Sequence, residues 1–286
     1  MSAGTAITVE STLFSTGYCR QIERLSRRDA PFRLASFHAL AVLIRHPTEG
    51  FLLFDTGYAT HFFRETCRFP YSLYRRITPV VFRQEDALTE QLRERGISPT
   101  DIRYVFLSHF HGDHIGGVRD FSQSVFICSR EAYHHIRDKR GMAAMRNGFV
   151  PGLLPPDFSE RVQFIEEKDP FPFRETYGVF DTVFDWFGDG SLLAIRLSGH
   201  APGQYGLFFV DRDRGPTLLC ADAAWSMAAI RTESEPHPLT YKVMGGRKEY
   251  RHHFQQLVDF HRKNPAVRIV PSHCPEALTA VKGVEA

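Results

Sequence analysis

The chain contains the stretch Ser108-His109-Phe110-His111-Gly112-Asp113-His114-Ile115-Gly116-Gly117, directly after the apolar run Tyr104–Leu107. Three imidazoles and one carboxylate fall within six residues of that stretch. The apolar run predicts a buried strand, and strand ends are rigid places at which catalytic residues commonly lie. Single histidines are usually solvated or cap a turn, but four such side chains so close together rarely are. Imidazole with carboxylate suits zinc, with iron, manganese or cobalt as alternatives, so the stretch predicts a metal site.

The spacing within this stretch predicts how the ligands divide. Side chains alternate along an extended chain, so His109, His111 and Asp113 can face the same way. Gly112 lets the backbone bend tightly, so His114 can aim at a different point. One ion could then bind the first two histidines, and a second could bind Asp113 and His114.

The composition is that of an ordinary soluble globular protein. The chain has 286 residues, of which 43% are hydrophobic and 24% are charged. A net charge of +2 gives no reason to expect nucleic acid or an anionic membrane as a partner. The expected partner is therefore a small molecule.

Targeting signals and cysteine usage predict a cytoplasmic protein. The N-terminus lacks a basic region followed by an apolar core, which predicts that there is no secretion signal. No apolar stretch approaches the roughly 20 residues needed to span a bilayer. The five cysteines are scattered without paired metal spacing, which predicts reduced thiols.

Short apolar runs separated by turn signals predict strands, and amphipathic stretches between them predict helices. The predicted strands are Leu40–Ile44, Phe51–Phe54, Tyr104–Leu107, Ser124–Ile127, Leu192–Leu197, Gly206–Val210, Thr217–Cys220 and Arg268–Val270. Helical periodicity predicts helices over Glu85–Arg95 and Arg247–Arg262. Strands mixed with helices predict an α/β or α+β architecture.

Two long segments lack a regular pattern. Thr60–Phe82 is aromatic and basic, and Gly141–Pro172 is rich in proline and glycine. Both are long for simple connections, so each predicts either a lid or binding surface, or irregular packing over the core. Thr60–Phe82 is also a candidate dimer surface, because several of its aromatic residues look exposed.

Three further candidate ligands each follow a predicted strand. His200 comes after Leu192–Leu197, Asp222 after Thr217–Cys220, and His273 after Arg268–Val270. Each alone is equally consistent with a turn, a helix cap or a surface loop. Their common placement after strands favours a second set of ligands.

The order and context of these residues resemble the metallo-β-lactamase superfamily. The matching motifs are, in chain order, Phe54-Asp55-Thr56-Gly57, His109–His114, Ser198-Gly199-His200, Ala221-Asp222 and Ser272-His273. The resemblance spans about residues 40 to 275. It implies a four-layer αββα sandwich that forms one domain over residues 1–286, with the site along an edge where the two sheets meet. It also implies that Asp55 holds the histidine segment in place.

The resemblance further implies two metal ions, most readily zinc. One ion would be bound by His109, His111 and His200, the other by Asp113, His114 and His273, with Asp222 bridging the two. A hydroxide bridging the ions would attack the substrate. Asp113 would in addition carry a proton to the leaving group.

Within the superfamily, the pattern is most similar to the quorum-quenching N-acyl-homoserine-lactone lactonases. Those enzymes generally carry a tyrosine three residues after the bridging aspartate, where this chain has Trp225. The indole N–H can donate a hydrogen bond to substrate, or the ring can serve only as a pocket wall. Many also have a bulky residue where this chain has Gly112, which predicts a pocket that is open near the metals.

The sequence therefore predicts a dinuclear-metal hydrolase that opens a lactone, such as an acyl-homoserine lactone, or cleaves a carboxylic ester. One alternative is a phosphodiesterase or a glyoxalase-II-like thioesterase of the same superfamily. A second alternative is a non-catalytic metal-binding module, because a fold does not guarantee a function.

Overall fold

The strands of the chain form two mixed sheets. The computed structural model describes residues 7–242 and 244–282. The strands of the described residues are β1 Glu10–Ile22, β2 Leu34–His46, β3 Gly50–Phe54, β4 Val80–Val81, β5 Ile102–Phe106, β6 Val125–Cys128, β7 Val162–Phe164, β8 Val183–Asp185, β9 Leu193–Arg196, β10 Tyr205–Asp211, β11 Gly215–Ala221 and β12 Arg268–Pro271. Each of the eight predicted strands is confirmed.

Helices connect or cover these strands. The α-helices of the described residues are α1 Glu23–Ser26, α2 Thr60–Glu65, α3 Ser72–Ile77, α4 Leu88–Arg93, α5 Gly112–Ile115, α6 Arg130–Ile136, α7 Gly141–Met145, α8 Phe158–Arg161, α9 Phe173–Tyr177, α10 Met227–Thr232, α11 Arg247–Lys263 and α12 Pro275–Lys282. The two predicted helices correspond to α4, which is shorter than expected, and to α11.

The first sheet has seven strands in the order β4-β1-β2-β3-β5-β6-β7. Its strands β3, β5, β6 and β7 run parallel, and the other neighbours pair antiparallel. The second sheet has five strands in the order β12-β11-β10-β9-β8. Here β11 and β12 are parallel, and the remaining pairs are antiparallel.

Alternation along the strands divides the interior into three layers of apolar side chains. Ala41 and Leu43 of β2 pack with α4 and α6, whereas Val42 and Ile44 face the second sheet. On the second sheet, Leu218 belongs to the core shared with α10 and α11. Because both faces of both sheets are buried, helices must cover the two outer faces. The predicted four-layer αββα sandwich is confirmed.

Local pattern missed regular elements in several parts of the chain. The segment Thr60–Phe82 contains α2, α3 and β4, and Gly141–Pro172 contains α7, α8 and β7, so neither is an unstructured loop. In addition, no apolar run in the sequence predicts β1. That strand carries many polar residues and pairs with the buried β2 along most of its length, so tertiary pairing stabilises it.

The carboxyl ends of five strands lie at one edge of the sandwich. β3 and β5 are parallel neighbours in the first sheet. In the second sheet β9, β11 and β12 run in one direction, because β10 is antiparallel to both β9 and β11. Residues that follow these five strands are therefore brought to the same edge.

None of the helices in the described residues is long and apolar enough to cross a membrane. Residues 1–6, on which the expected absence of a secretion signal rests, lie outside the described residues. The cytoplasmic location and the single domain over 1–286 stay predictions.

Candidate metal centre

The histidine segment leaves β5 and turns at once into a short helix. Leu107 still pairs with β6, donating its N–H to Ile127 O over 2.8 Å. His111 is the residue before α5, and its carbonyl accepts the N–H groups of His114 and Ile115. The expected alternation therefore ends at His111, because Asp113 lies on a helical turn. The predicted separation of Asp113 and His114 from the first two histidines follows from this turn.

Asp55 anchors the segment from the end of β3, as predicted. The side chain is fully buried, and its carboxylate accepts the backbone N–H of Ser108 at 2.8 Å and the Ser108 hydroxyl at 2.7 Å. Its Oδ2 also lies 2.7 Å from His114 Nδ1. A proton on Nδ1 then donates to Asp55, so Nε2 is the nitrogen that can bind a metal once it is deprotonated, the arrangement that a metal-binding histidine needs.

The second sheet brings three more side chains to the same place. Asp222 Oδ2 lies 3.0 Å from His273 Nε2 and 3.2 Å from His200 Nε2, and Asp222 Oδ1 lies 3.5 Å from His114 Nε2. His273 Nδ1 donates to the carbonyl of His38 at 2.8 Å, so its Nε2 faces the carboxylates. All seven candidate ligands therefore lie together, although the two sheets contribute them from distant parts of the sequence.

Among the described residues, three groups of side chains have ligand atoms within 4.8 Å of one another: His109 with His111 and His200, Asp113 with His114 and His273, and His109 with His114 and Asp222. We call the first the histidine group and the second the carboxylate group. The third takes one residue from each of the other two and adds Asp222. Asp222 thus lies between the groups, at the place where a bridging ligand would have to be.

The donor atoms of the site fit a metal. His109 Nε2, His114 Nε2 and Asp222 Oδ1 are buried and have no hydrogen-bond partner among the described residues. Leaving a buried polar atom unpaired costs about 1–3 kcal/mol. Several such atoms converging on one point are expected where an ion satisfies them.

The histidine group is electrostatically suited to remain uncharged. Burial lowers the pKa of His109 well below its ordinary value, and the neighbouring His114 and His111 lower it further. Burial likewise lowers the pKa of His111 to about 4 and that of His200 to about 3. Neutral imidazole is the form that binds a metal.

The carboxylate group has the opposite tendency. Burial opposes a charge on His114, but Asp222, Asp55 and Asp113 together raise its pKa well above its ordinary value. Asp222 and Asp113 also raise the pKa of His273 in spite of its burial. Without an ion, this half of the site holds protons where the ion would be.

A pocket of about 500 Å³ opens onto the site. The candidate ligands His111, Asp113, His200, Asp222 and His273 line it. Its other walls are mostly apolar or aromatic and include Cys19, Phe37, Tyr74, Ile77, Met145, Trp225 and Met244. The size is within the range of small-molecule sites, and the walls suit an apolar substrate portion.

Trp225 stands at this pocket, as predicted from its place after Asp222. Its ring lies 5.8 Å from that of His200 and 6.3 Å from that of His273, measured between centroids. The indole Nε1 is buried and has no hydrogen-bond partner among the described residues. Both roles considered for Trp225, pocket wall and donor, are consistent with these contacts.

The prediction that Gly112 opens the pocket is wrong. A Cβ at position 112 would lie 2.9 Å from the Phe62 ring and 3.5 Å from Cζ of Tyr74. The two aromatic rings therefore fill the space that the missing side chain leaves. Sequence reasoning placed both residues in an aromatic segment but had no signal for which ring reaches the site.

Arg146 and Lys242 are further pocket residues that the sequence did not single out. Both line the large pocket and a smaller neighbouring one of about 200 Å³, which also reaches His111 and His200. Within the described part of the chain, neither side chain forms an ion pair. Arginine and lysine are common surface residues, so only the fold shows which ones face a site.

Two sheets packed between layers of helices, with histidines and carboxylates converging at the strand ends, define a metallo-hydrolase of the αββα class. The sequence profile of the Metallo-beta-lactamase superfamily matches residues 36–273. The chain belongs to this superfamily.

The chain is also similar to individual proteins at low sequence identity. The chain is 27% identical over 246 residues to N-acyl homoserine lactonase AttM of Azorhizobium caulinodans, covering 84% of this chain and 83% of that protein. It is 25% identical over 256 residues to the probable metallo-hydrolase Rv2300c of Mycobacterium tuberculosis, covering 82% and 74% respectively. A solved N-acyl homoserine lactone hydrolase, with the product N-hexanoyl-L-homoserine at its catalytic metal center, superposes with a TM-score of 0.72 at 18% identity, covering 96% of this chain and 97% of that one. At that identity the superposition shows the fold.

Proposed function

We propose that the protein is a dinuclear-metal hydrolase that opens a lactone or cleaves a carboxylic ester. The observation that carries this proposal is the placement of Asp222 between the histidine group and the carboxylate group, at the base of a largely apolar pocket. The similarity to N-acyl homoserine lactonases supports acyl-homoserine lactones as the first substrates to test.

The proposed ligands are His109, His111 and His200 for one ion, Asp113, His114 and His273 for the other, and Asp222 for both. Zinc suits this mixture of imidazole and carboxylate, and iron, manganese or cobalt could replace it. Such ions, when bound, lower the pKa of water and polarise a carbonyl oxygen.

The chain's own residues would bind and orient the substrate. Phe37, Ile77 and Met145 offer an apolar surface for an acyl chain. Trp225 would hold the ring or leaving-group side, either by its buried N–H or by packing alone. An acyl chain of the substrate that covers the site would exclude water that otherwise competes for the polar groups.

Asp113 is the proposed proton carrier. Burial disfavours its charge, but the adjacent His114 and His273 lower its pKa below the ordinary value, so it is ionised at neutral pH. It lines the pocket in which a substrate would bind. An ionised carboxylate there can accept a proton from the attacking water and return it to the departing oxygen.

A panel of four bond types tests the proposal: acyl-homoserine lactones of short and long chain, an aryl carboxylic ester, a glutathione thioester, and bis-aryl phosphate. We expect zinc-loaded protein to turn over the lactone or the ester fastest. Metal analysis of the same sample should give two ions per chain. Absence of turnover on every lactone and ester, in protein that holds two ions, would contradict the proposal.

Phosphodiester hydrolysis is the second candidate, because Arg146 and Lys242 border the pocket without ion-pair partners among the described residues. Such cations favour a substrate with an anionic group. Faster turnover of bis-aryl phosphate than of esters would reverse the order of the two candidates. Fast thioester turnover would instead favour the glyoxalase-II-like alternative. A metal-binding module without catalysis would leave the whole panel uncleaved.

A homodimer through the segment 60–82 stays a prediction. Phe69 and Ile77 of that segment are 73% and 63% exposed. Phe62, by contrast, is completely buried, so part of the aromatic content serves the core. Gel filtration at micromolar concentration tests the prediction, and a monomer there would contradict it.

A further inference from the structure

We propose that Tyr74 is a positioning residue for Asp113, and that the absence of a side chain at Gly112 allows Tyr74 to approach Asp113. The inference rests on the metal centre proposed above. It gives the aromatic segment 60–82 a defined task at that centre, which neither its sequence pattern nor the ligand motifs indicate.

The two oxygens of Asp113 face different partners. The Tyr74 hydroxyl donates to Asp113 Oδ1 over 3.3 Å. Asp113 Oδ2 lies 3.6 Å from His273 Nε2 and 3.9 Å from His114 Nε2. The phenol thus holds one oxygen, while the other points at the imidazole nitrogens of the carboxylate group. Restraining the carboxylate in this way leaves Oδ2 as the oxygen presented to an ion.

The phenol is held in place by the elements around it. Tyr74 lies in α3, and its ring packs edge-on against Phe62 of α2, with centroids 5.4 Å apart. Phe62 is fully buried and packs in turn against Tyr58. The packing of these aromatic rings therefore fixes the position of the hydroxyl. A hydroxyl on a mobile surface side chain would be less well preorganised.

Gly112 is what allows these rings to approach. The Cβ of any other residue would lie 2.9 Å from the Phe62 ring, closer than real Cβ atoms come, and 3.5 Å from Cζ of Tyr74, which is an ordinary van der Waals contact. A side chain at 112 must displace the Phe62 ring, and because Tyr74 packs against that ring, the displacement would loosen the support of Tyr74 beside Asp113. Gly112 and Tyr74 therefore act together, and substitutions at the two positions should not be additive.

Tyr74→Phe is the direct test, because it keeps the ring and removes only the hydroxyl. We expect the affinity for one of two ions to fall about 10- to 100-fold, the usual effect of losing a hydrogen bond to a metal ligand. The other ion should be unaffected. Competition against a chromophoric chelator measures both affinities, and the absorption spectrum of the cobalt-loaded protein reports a change in ligand geometry without reference to activity.

Tyr71→Phe is the matched control. Tyr71 lies in the same segment, but its hydroxyl accepts the Gly141 N–H at 2.9 Å and contacts no candidate ligand. It should leave both ion affinities and the cobalt spectrum as in the unmodified chain. If Tyr74→Phe behaves like Tyr71→Phe, the proposal is overturned.

Gly112→Phe tests the second half. It should weaken the same ion, and combining it with Tyr74→Phe should add little, because the hydroxyl is already displaced. Full additivity would contradict the coupling. The outcomes remain separable from the proposed function, since an unmodified chain that binds no metal removes both proposals, whereas two ions unaffected by Tyr74→Phe remove only this one.

Discussion

The two halves of the candidate metal centre are built alike and supported differently. Both present two or three imidazoles at the ends of strands, and both adjoin Asp222. The histidine group has no carboxylate of its own. The carboxylate group contains Asp113 and is held by Asp55 and, in our proposal, by Tyr74. The difference shows that ligands close in sequence can have opposite electrostatic surroundings.

This contrast is expressed in protonation. Burial keeps the histidine group neutral, whereas the carboxylates raise the pKa values of His114 and His273. An ion entering the histidine group meets uncharged imidazoles. An ion entering the carboxylate group must displace protons, but it then lies beside the negative charges of Asp113 and Asp222.

The largest effect is expected from Asp222→Ala, which removes a side chain that is adjacent to both groups. Because losing a residue that merely supports a ligand costs about 10- to 100-fold, we expect a fall of at least about 100-fold in activity, with loss of metal from both groups. Metal analysis and steady-state kinetics measure this. Asp185→Ala is the control, since Asp185 is also buried but caps the turn at Gly188 and Gly190. Retention of two ions and full activity would show that Asp222 is not shared.

Asp55→Asn should weaken the carboxylate group more than the histidine group. An amide cannot accept from Ser108 and His114 at once without turning a donor toward a donor, so the His114 ring loses its orientation. We expect a loss of about 10- to 100-fold in the affinity for one ion and about 1–3 kcal/mol in the free energy of unfolding. Chelator competition and denaturant titration measure the two effects.

Asp120→Asn is the matched control for this change. It alters another histidine–carboxylate pair, with His61 Nε2 and Asp120 Oδ1 2.8 Å apart, outside the candidate ligands. Equal effects of the two substitutions on ion affinity would argue against a special role of Asp55.

The pH dependence of metal binding should separate the two groups. His273→Ala removes a ligand of the carboxylate group and leaves the histidine group intact. His200→Ala removes a ligand of the histidine group and leaves the carboxylate group intact. Because their folded-state pKa values are raised, His114 and His273 are cationic at pH 6, whereas His111, with a pKa of about 4, is neutral. Binding to the His200→Ala protein should therefore release more protons per ion than binding to the His273→Ala protein.

Calorimetry in two buffers of different ionisation enthalpy measures that proton release. By the same sign, lowering the pH from 7 to 5 should weaken binding in the His200→Ala protein more than in the His273→Ala protein. The reverse order would contradict the assigned pKa directions.

The smallest effect is expected from Trp225→Phe, which keeps an aromatic wall and removes the indole N–H. If the N–H binds substrate, KM should rise by about 5- to 10-fold, the worth of about one neutral hydrogen bond, with little change in metal content. If Trp225 is only a wall, KM should stay within about twofold. Trp186→Phe, which makes the same change at a buried tryptophan outside the pocket lining, is the control.

Prediction from sequence succeeded where a signal was local. Apolar runs such as Tyr104–Leu107 and Thr217–Cys220 are buried on both faces, which makes them recognisable as strands without knowledge of their partners. The helix at Arg247–Arg262 was equally visible from its apolar stripe. The strand β1 was missed, because its stability depends on pairing with β2 and not on its own composition.

The sequence by itself determined the set of candidate ligands. They are five histidines and two aspartates that follow predicted strands, in an order typical of one superfamily. Only the tertiary structure decided how they meet, because residues 109 to 273 converge through two sheets rather than through local spacing. It also decided that the space beside Gly112 is filled by Phe62 and Tyr74. Side-chain contacts of this kind depend on how distant helices pack, and a ligand motif carries no record of them.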